Sequence, residues 1–235
     1  MNFESIQDRY KLFYSSTQYG SKTGRASNFF HKKLEKGLEE KFFTNVLEVG
    51  AGSGEHLNYV NHGFQKYVIS DLFLPILTSD AKASANKLTE LKKEILVVSE
   101  DVEKLSFPDN YFDRVISTCL LHHLEKPLSA LEELRRVGAN KGLISIYLPS
   151  DPGFVYRFAQ RIVSTQALLE FFSKKEIVML RAGEHRNHAG SLAGLIQGVF
   201  SEDSITVKSF PFFGLGWNFS LFRIYSISLN KKESI

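Results

Sequence analysis

The sequence predicts an α/β protein built on a doubly wound, mostly parallel sheet, and three observations predict it. Short apolar runs rich in β-branched residues alternate with helix-like segments through the first two-thirds of the chain. A glycine-rich turn follows the first run, and acids stand at the ends of the next two. After the fifth run the rhythm breaks for about 50 residues before two further strand-like segments appear.

Taken in order, the strand candidates are residues 45–49 (NVLEV), 67–70 (YVIS), 95–99 (ILVVS), 114–118 (RVIST) and 143–148 (LISIYL). Each is short, apolar and continuous, the pattern of a strand buried on both faces. Between them fall helix candidates at 54–61, 74–91, with Pro75 in its first turn, and 126–137 (KPLSALEELRRV). Strand, helix, strand in repetition implies right-handed crossovers. Residues 204–210 and 219–228 read as a closing antiparallel pair joined through FPFFGLGWN. A single domain over 1–235 is expected, with 1–40 as an N-terminal flap carrying a helix-like NFFHKKLEKGLEEKF, and 149–203 as a helical cap inserted after the fifth strand.

Chain-wide properties narrow the class. In 235 residues, 43% are hydrophobic, enough for a real core, and 29 basic against 26 acidic residues leave a net charge of +3. That balance, without a basic stripe, speaks against nucleic acid as partner. The single cysteine, Cys119, excludes an intrachain disulfide and a multi-cysteine zinc site. No stretch approaches the roughly 20 apolar residues of a membrane span, and MNFESIQDRYKLFYSS lacks the layout of a leader, so a soluble cytoplasmic protein is expected.

The chemistry concentrates in VLEVGAGSG, residues 46–54. In an open parallel sheet, ligands sit beyond the carboxyl ends of the strands where strand order reverses. Glycines at 50, 52 and 54 permit tight turns and close approach of a ligand. A dinucleotide loop needs its third glycine one place later, where this chain has Glu55, and it does not normally carry an acid just before the first glycine, where Glu48 stands. Two acids there repel a pyrophosphate and suit a cation. Asp71, 17 positions after Gly54, is placed to accept the hydroxyls of a ribose. Asp101 reaches the same rim, able to accept from an exocyclic amine, with the Val102 N–H available to a ring nitrogen. Together these describe a ligand that is part amino acid and part nucleoside, without phosphate.

These residues resemble the class I S-adenosylmethionine-dependent methyltransferases, and within them the large small-molecule subgroup called type 11. The likeness runs from VLEVGAGSG through ISDL and EDVEKLSFPDNYFDRVISTCLLHHL to ALEELRRV and GLISIYLP, about residues 45–148. It implies a seven-stranded, Rossmann-like methyltransferase fold and S-adenosylmethionine as cofactor. By the resemblance, Glu48, Gly50, Ala51, Gly52 and Gly54 lie along the methionine part, Asp71 and Leu72 at the ribose, and Asp101 with Val102 at the adenine. Thr118, Cys119 and His123 then line the methionine side; apart from the resemblance, aromatic–cation attraction suggests that Tyr10, Tyr14 and Tyr19 of the flap either cover the sulfonium or hydrogen-bond the cofactor carboxylate. The chain departs from the family's pattern at Glu100, where a glycine is usual, and at GANKG, a shortened turn before the fifth strand.

Methyl transfer from a sulfonium is an in-line displacement, so alignment dominates and is worth roughly 7–11 kcal/mol. An acceptor hydroxyl also needs its proton handled, for which histidine suits neutral pH. His122, in LLHHL, is one candidate. The cap's GEHRNH supplies His185 and His188, which share a face if the segment is helical, with Glu184 as orienter and Arg186 for an anionic acceptor. With two imidazoles and one acid in that segment and no HExxH, no metal is assigned. Arg25 is open between a cofactor contact and the surface, and Trp217 between core and acceptor wall.

The function expected is methyl transfer to oxygen or nitrogen of a small-molecule acceptor, a sugar-containing or lipid-like metabolite, by a monomer or homodimer. A non-catalytic binding or regulatory protein of the same fold is the alternative. A nicotinamide-dependent oxidoreductase is disfavoured by Glu55.

Overall fold

A computed structural model describes residues 5–6, 9–10, 22–162, 164–212 and 214–231. Among them, seven strands form one sheet in the order β3-β2-β1-β4-β5-β7-β6. The strands are β1 (Phe42–Val49), β2 (Gly63–Asp71), β3 (Glu94–Ser99), β4 (Phe112–Thr118), β5 (Gly138–Pro149), β6 (Ser204–Phe210) and β7 (Phe222–Ser228). β1 pairs in parallel with both β2 and β4, and β4 with β5. β7 runs antiparallel to β5 and β6. Strand order reverses between β1 and β4, which makes the end of β1 the topological switch point.

The central strands are buried because both faces are covered. Leu47, Val49, Val115, Ile144 and Ile146 belong to one core layer, and Val46, Tyr67, Ile69 and Ile116 to the other. On the first face lies α3 (Pro127–Val137), whose Ala130, Leu131, Leu134 and Val137 repeat at helical spacing and are all fully buried. Each such leucine contributes about 1.5–3 kcal/mol by leaving water. On the second face, α1 (Lys22–Glu35) packs Leu34 and Phe30 against the sheet. α2 (Ser79–Glu90) flanks β3.

Element boundaries differ from the sequence expectation in informative ways. The helix expected from residue 74 begins only at Ser79, because Thr78 caps it by accepting the Ala81 N–H at 3.2 Å. Pro75 therefore lies before the helix, in a loop with Leu72, Phe73, Leu74 and Ile76 exposed. The segment after Gly54 is a short 3₁₀ turn, Glu55–Tyr59. The N-terminal helix ends at Glu35, ahead of the positive-φ Gly37, rather than running on toward residue 42. GANKG is part of β5, with Lys141 at φ 63 absorbing the irregularity.

Among the described residues, four helices come between β5 and β6: α4 (Phe154–Ile162), α5 (Ser164–Leu169), α6 (Lys174–Glu184) and α7 (Ala189–Val199). α7 packs its Leu192 and Ile196 into the first core layer. α5 and α6 make a satellite cluster of Leu168, Phe172, Ile177 and Leu180 that also buries Ile6 of the N-terminal segment. Arg9 adds an ion pair to Glu176 at 2.8 Å and a hydrogen bond to the Phe171 carbonyl at 2.7 Å. No helix among the described residues is long and apolar enough to cross a membrane.

Candidate functional site

A cleft of about 300 Å³ opens at the carboxyl ends of β1 to β4. It is lined by Gly50 from the first loop, Asp71 and Leu72 from the second, Asp101 and Val102 from the third, and His123 from the fourth. Six of the residues expected at the cofactor thus meet on one surface. The lining also holds Glu100, Glu103 and Glu125, so among the described residues it carries five carboxylates with no lysine or arginine. Such a surface attracts a cation and repels phosphate.

The glycine loop is shaped by its own backbone. Gly50, Gly52 and Gly54 all have positive φ, at 63°, 55° and 74°. A Cβ on Gly54 would stand 2.5 Å from Leu77 Cδ2, so a side chain here would have to move the Leu77 tip as well as adopt a positive φ. A Cβ on Gly52 would meet nothing within 4 Å. Its side faces open space, as a loop must where a ligand is to come close. Ala51 donates its N–H to the Ser70 carbonyl at 3.0 Å, fixing the loop to β2.

Asp71 ties the loop further, its Oδ2 accepting from Gly52 N–H at 2.8 Å and its Oδ1 from Leu72 N–H at 2.7 Å. Each oxygen keeps a second lone pair, so the carboxylate is positioned and still able to accept. Asp101 Oδ1 accepts the Glu103 N–H at 2.9 Å, holding the turn beneath it.

Glu48 is placed differently from the expectation. It is 1% exposed and accepts from the Tyr67 hydroxyl at 2.8 Å, turned into the layer under the loop rather than into the cleft. Burial raises its pKa. Below it lies a buried ionic network the sequence reading missed. Glu35, at the end of α1, accepts both terminal nitrogens of Arg114 from β4 and the Nε2 of His56 at 2.8 Å. Hydrogen bonds and the charges of His56 and Arg114 hold the Glu35 carboxyl well below the usual range despite burial. His31 stands 2.9 Å from His56, nitrogen to nitrogen, and burial brings its pKa down to about 3. The network latches α1 to the turn that leaves the glycine loop.

Thr118 ends β4 opposite Tyr147, and Cys119 follows at φ 53, its N–H donating to the Tyr147 carbonyl at 3.2 Å. From this loop it is Leu120, His123 and Leu124 that line the cleft. Tyr14 and Tyr19 lie outside the described residues, as do the surroundings of Arg25 and Glu184. Trp217 packs its ring against Gly190 of α7, where a Cβ would stand 3.2 Å from it.

His185 and His188 do not share a helix face. His185 caps the end of α6 and His188 precedes α7, with a break between them. The break is stabilised by Asn187, whose side-chain amide donates to the carbonyls of Leu121 and Leu124 at 3.1 and 2.7 Å. The backbone N–H groups of Arg186 and Asn187 both donate to the His122 carbonyl, at 2.9 and 3.1 Å. His185 is thereby carried onto His122 and His123, with ring centroids 4.7 and 5.5 Å away. Its Nδ1 lies 2.6 Å from Asp151 Oδ2, a carboxylate at the end of β5. His188 is exposed and outside this cluster. His122 is 4% exposed, and burial holds its pKa well below the ordinary value.

A seven-stranded sheet with one antiparallel strand, a glycine loop at the switch point and an acidic cleft is the arrangement that the resemblance to class I S-adenosylmethionine-dependent methyltransferases implies. The model of the family described as "Methyltransferase domain", type 11, matches residues 47–146 of this chain. An uncharacterized methyltransferase of Schizosaccharomyces pombe is 34% identical over 108 residues, 42% of this chain and 37% of that protein. The chain spans between 2% and 37% of the curated relatives it matches. Among solved structures, an S-adenosylmethionine-dependent methyltransferase of Thermotoga maritima, described as a possible histamine N-methyltransferase, superposes with a TM-score of 0.57. The identity is 14%, over 96% of this chain and 97% of that one. The N-methyltransferase NodS of Bradyrhizobium japonicum, solved with S-adenosyl-L-homocysteine, gives a TM-score of 0.57 at 13% identity over 97% and 98% of the two chains. Likeness at that identity speaks for the fold.

Proposed function

We propose that this chain transfers the methyl group of S-adenosylmethionine to an oxygen or nitrogen of a small-molecule acceptor. The observation that carries this reading is the cleft at the switch point, whose described lining holds five carboxylates and no lysine or arginine, beside a loop in which Gly52 faces open space. Asp71 accepts the ribose hydroxyls, Asp101 and the Val102 N–H meet the adenine, and the loop from Gly50 to Gly54 follows the methionine part. Glu48 acts from beneath, supporting the loop through Tyr67.

In this reading the helices over residues 149–203 form the acceptor cap and the N-terminal segment is its flap; the burial of Ile6 and the Arg9–Glu176 ion pair support their acting together. The acceptor's proton is handled where cap and cofactor loop meet, at His122, His123 and His185. Asp151 fixes the tautomer of His185 by taking Nδ1–H, which leaves Nε2 as the working nitrogen. His188 has no part in it. The protein's main contribution is alignment of acceptor atom, methyl carbon and sulfur.

The test is mass spectrometry of metabolite extracts incubated with methyl-labelled cofactor. A labelled small molecule is expected with the native chain, reduced about 10²–10⁴-fold by His185→Ala and unaffected by His188→Ala. Label transfer that survives His185→Ala at the native rate overturns the assignment of the proton-handling cluster. Cofactor binding with no labelled product from any extract favours a non-catalytic binding protein.

A further inference from the structure

We propose that His122, His123 and His185 bind a zinc ion whose fourth position takes the hydroxyl of the acceptor. The catalytic use of the ion rests on the function proposed above; the binding of the ion does not.

The three imidazoles come from two separate turns, and their ligand nitrogens all lie within 4.8 Å of one another. Nitrogens on a tetrahedral zinc, each about 2.0–2.1 Å from the ion, stand roughly 3.4 Å apart, so small ring rotations complete the site. Aromatic packing alone does not account for the cluster. Nδ1 of His122 is buried without a hydrogen-bond partner, in a residue only 4% exposed, and leaving such a group unsatisfied costs about 1–3 kcal/mol. A coordinated cation near that nitrogen removes the cost.

The surroundings are built as those of a metal site are. Asp151 holds His185 through Nδ1 at 2.6 Å, the carboxylate–histidine arrangement that orients a ligating imidazole and raises its basicity. The two turns are locked together before any ion arrives. Arg186 and Asn187 donate backbone N–H groups to the His122 carbonyl, and the Asn187 amide spans Leu121 and Leu124. Three imidazoles without thiolate suit zinc, and three protein ligands leave the position that a catalytic zinc keeps open. His185 and Asp151 are each about one-fifth exposed, which gives the ion an entry path.

Placement gives the ion its task. His123 lines the cofactor cleft while contacting His122 at 3.9 Å between ring centroids, so the cluster forms the wall between cleft and cap. An acceptor hydroxyl bound to zinc gives up its proton to solvent. The resulting oxygen anion attacks the methyl carbon, the new O–C bond forms as the S–C bond breaks, and the bonding pair stays on sulfur, which leaves as a neutral thioether. With the ion in place His185 Nε2 is a ligand, so the cluster handles the acceptor's proton through the zinc that it holds and not by accepting it.

The experiment uses the untagged chain, stripped with a chelator and titrated with Co²⁺ followed by optical spectroscopy, then with Zn²⁺ in competition. One Co²⁺ per chain with the intense visible bands of a tetrahedral site is expected, displaced by one Zn²⁺. His185→Gln should abolish the bands, and Asp151→Asn should weaken affinity about 10–100-fold. Circular dichroism identifies any variant that fails to fold, and His185→Gln, a partly exposed position, is preferred for that reason to His122→Ala. Absence of tetrahedral Co²⁺ absorption, or its persistence in His185→Gln, overturns the site. S-adenosylhomocysteine binding to the stripped chain, measured in parallel, is expected to persist. Loss of metal binding with retained nucleoside binding sinks only the zinc site, whereas loss of nucleoside binding sinks the proposed function itself.

Discussion

The carboxylate of Asp71, at the end of β2, accepts the N–H of Gly52, in the loop after β1, at 2.8 Å. One strand end thereby holds the loop of its neighbour, and in the proposed function the same carboxylate presents its remaining lone pairs to the ribose. Asp71→Ala removes both services. Because the hydrogen bonds it makes are solvent-exposed, the free protein should lose only about 1 kcal/mol. Two charge-assisted bonds to a ribose are worth more together, so affinity for S-adenosylhomocysteine should fall about 100-fold or further by calorimetry. A fall in stability larger than the fall in binding energy contradicts this division of labour.

Gly52 and Gly54 separate shape from fit. Both have positive φ, which costs a residue with a side chain roughly 1–2 kcal/mol. Gly54→Ala adds a clash with Leu77 and should lower unfolding free energy by about 2–3 kcal/mol in urea titration. Gly52→Ala meets no protein atom, so it should be the milder change for folding and the stronger one for cofactor affinity.

The latch between Glu35 and Arg114 is fully buried, at 1% and 0% exposure. Removing one partner leaves the other charge unpaired, and Glu35→Ala should cost about 3–5 kcal/mol. The double variant Glu35→Leu with Arg114→Met should recover much of that loss, since apolar replacement of a buried pair is often neutral. Denaturant midpoints of the two variants decide it.

Glu55, the acid beside the glycine loop, has its pKa raised from 4.5 to about 7 by burial and by the charges of Asp80 and Glu48. An acid whose pKa is higher folded than unfolded favours the native state at low pH, and that contribution is lost as pH rises from about 4.5 through 7. Glu55→Gln should therefore flatten the decline in stability across that window. The group is half exposed, so solvent screening limits the effect to about 1 kcal/mol. Melting temperatures at pH 5 and pH 8, native against variant, provide the check.

The sheet was legible because buried parallel strands announce themselves as apolar runs, and the cleft because Asp71 ends a strand while Gly50, Asp101 and His123 lie in the loops that follow strands. Alternation along β1 also signalled that Glu48 shares the face of Val46, whose neighbours are all buried, though the reading placed it at the ligand. Asp151 stood at the end of β5, where the same strand-end rule finds candidates, but its contact with His185 depends on folding across 34 residues. The break between His185 and His188 was hidden for a different reason. Asn187 stops the helix by reaching carbonyls 63 and 66 residues away, an interaction that local propensity does not encode.

The central claim is that the acidic cleft binds a cationic nucleoside and no dinucleotide. Thermal melting with S-adenosylmethionine, S-adenosylhomocysteine and NAD tests it most directly. At 100 times the dissociation constant a native-state ligand adds about 2.7 kcal/mol, a rise of roughly 5–10 °C for a chain of this size. Both sulfur nucleosides should raise the midpoint by this order, and NAD should leave it unchanged. No shift with either at concentrations well above micromolar, or a shift with NAD, contradicts the account.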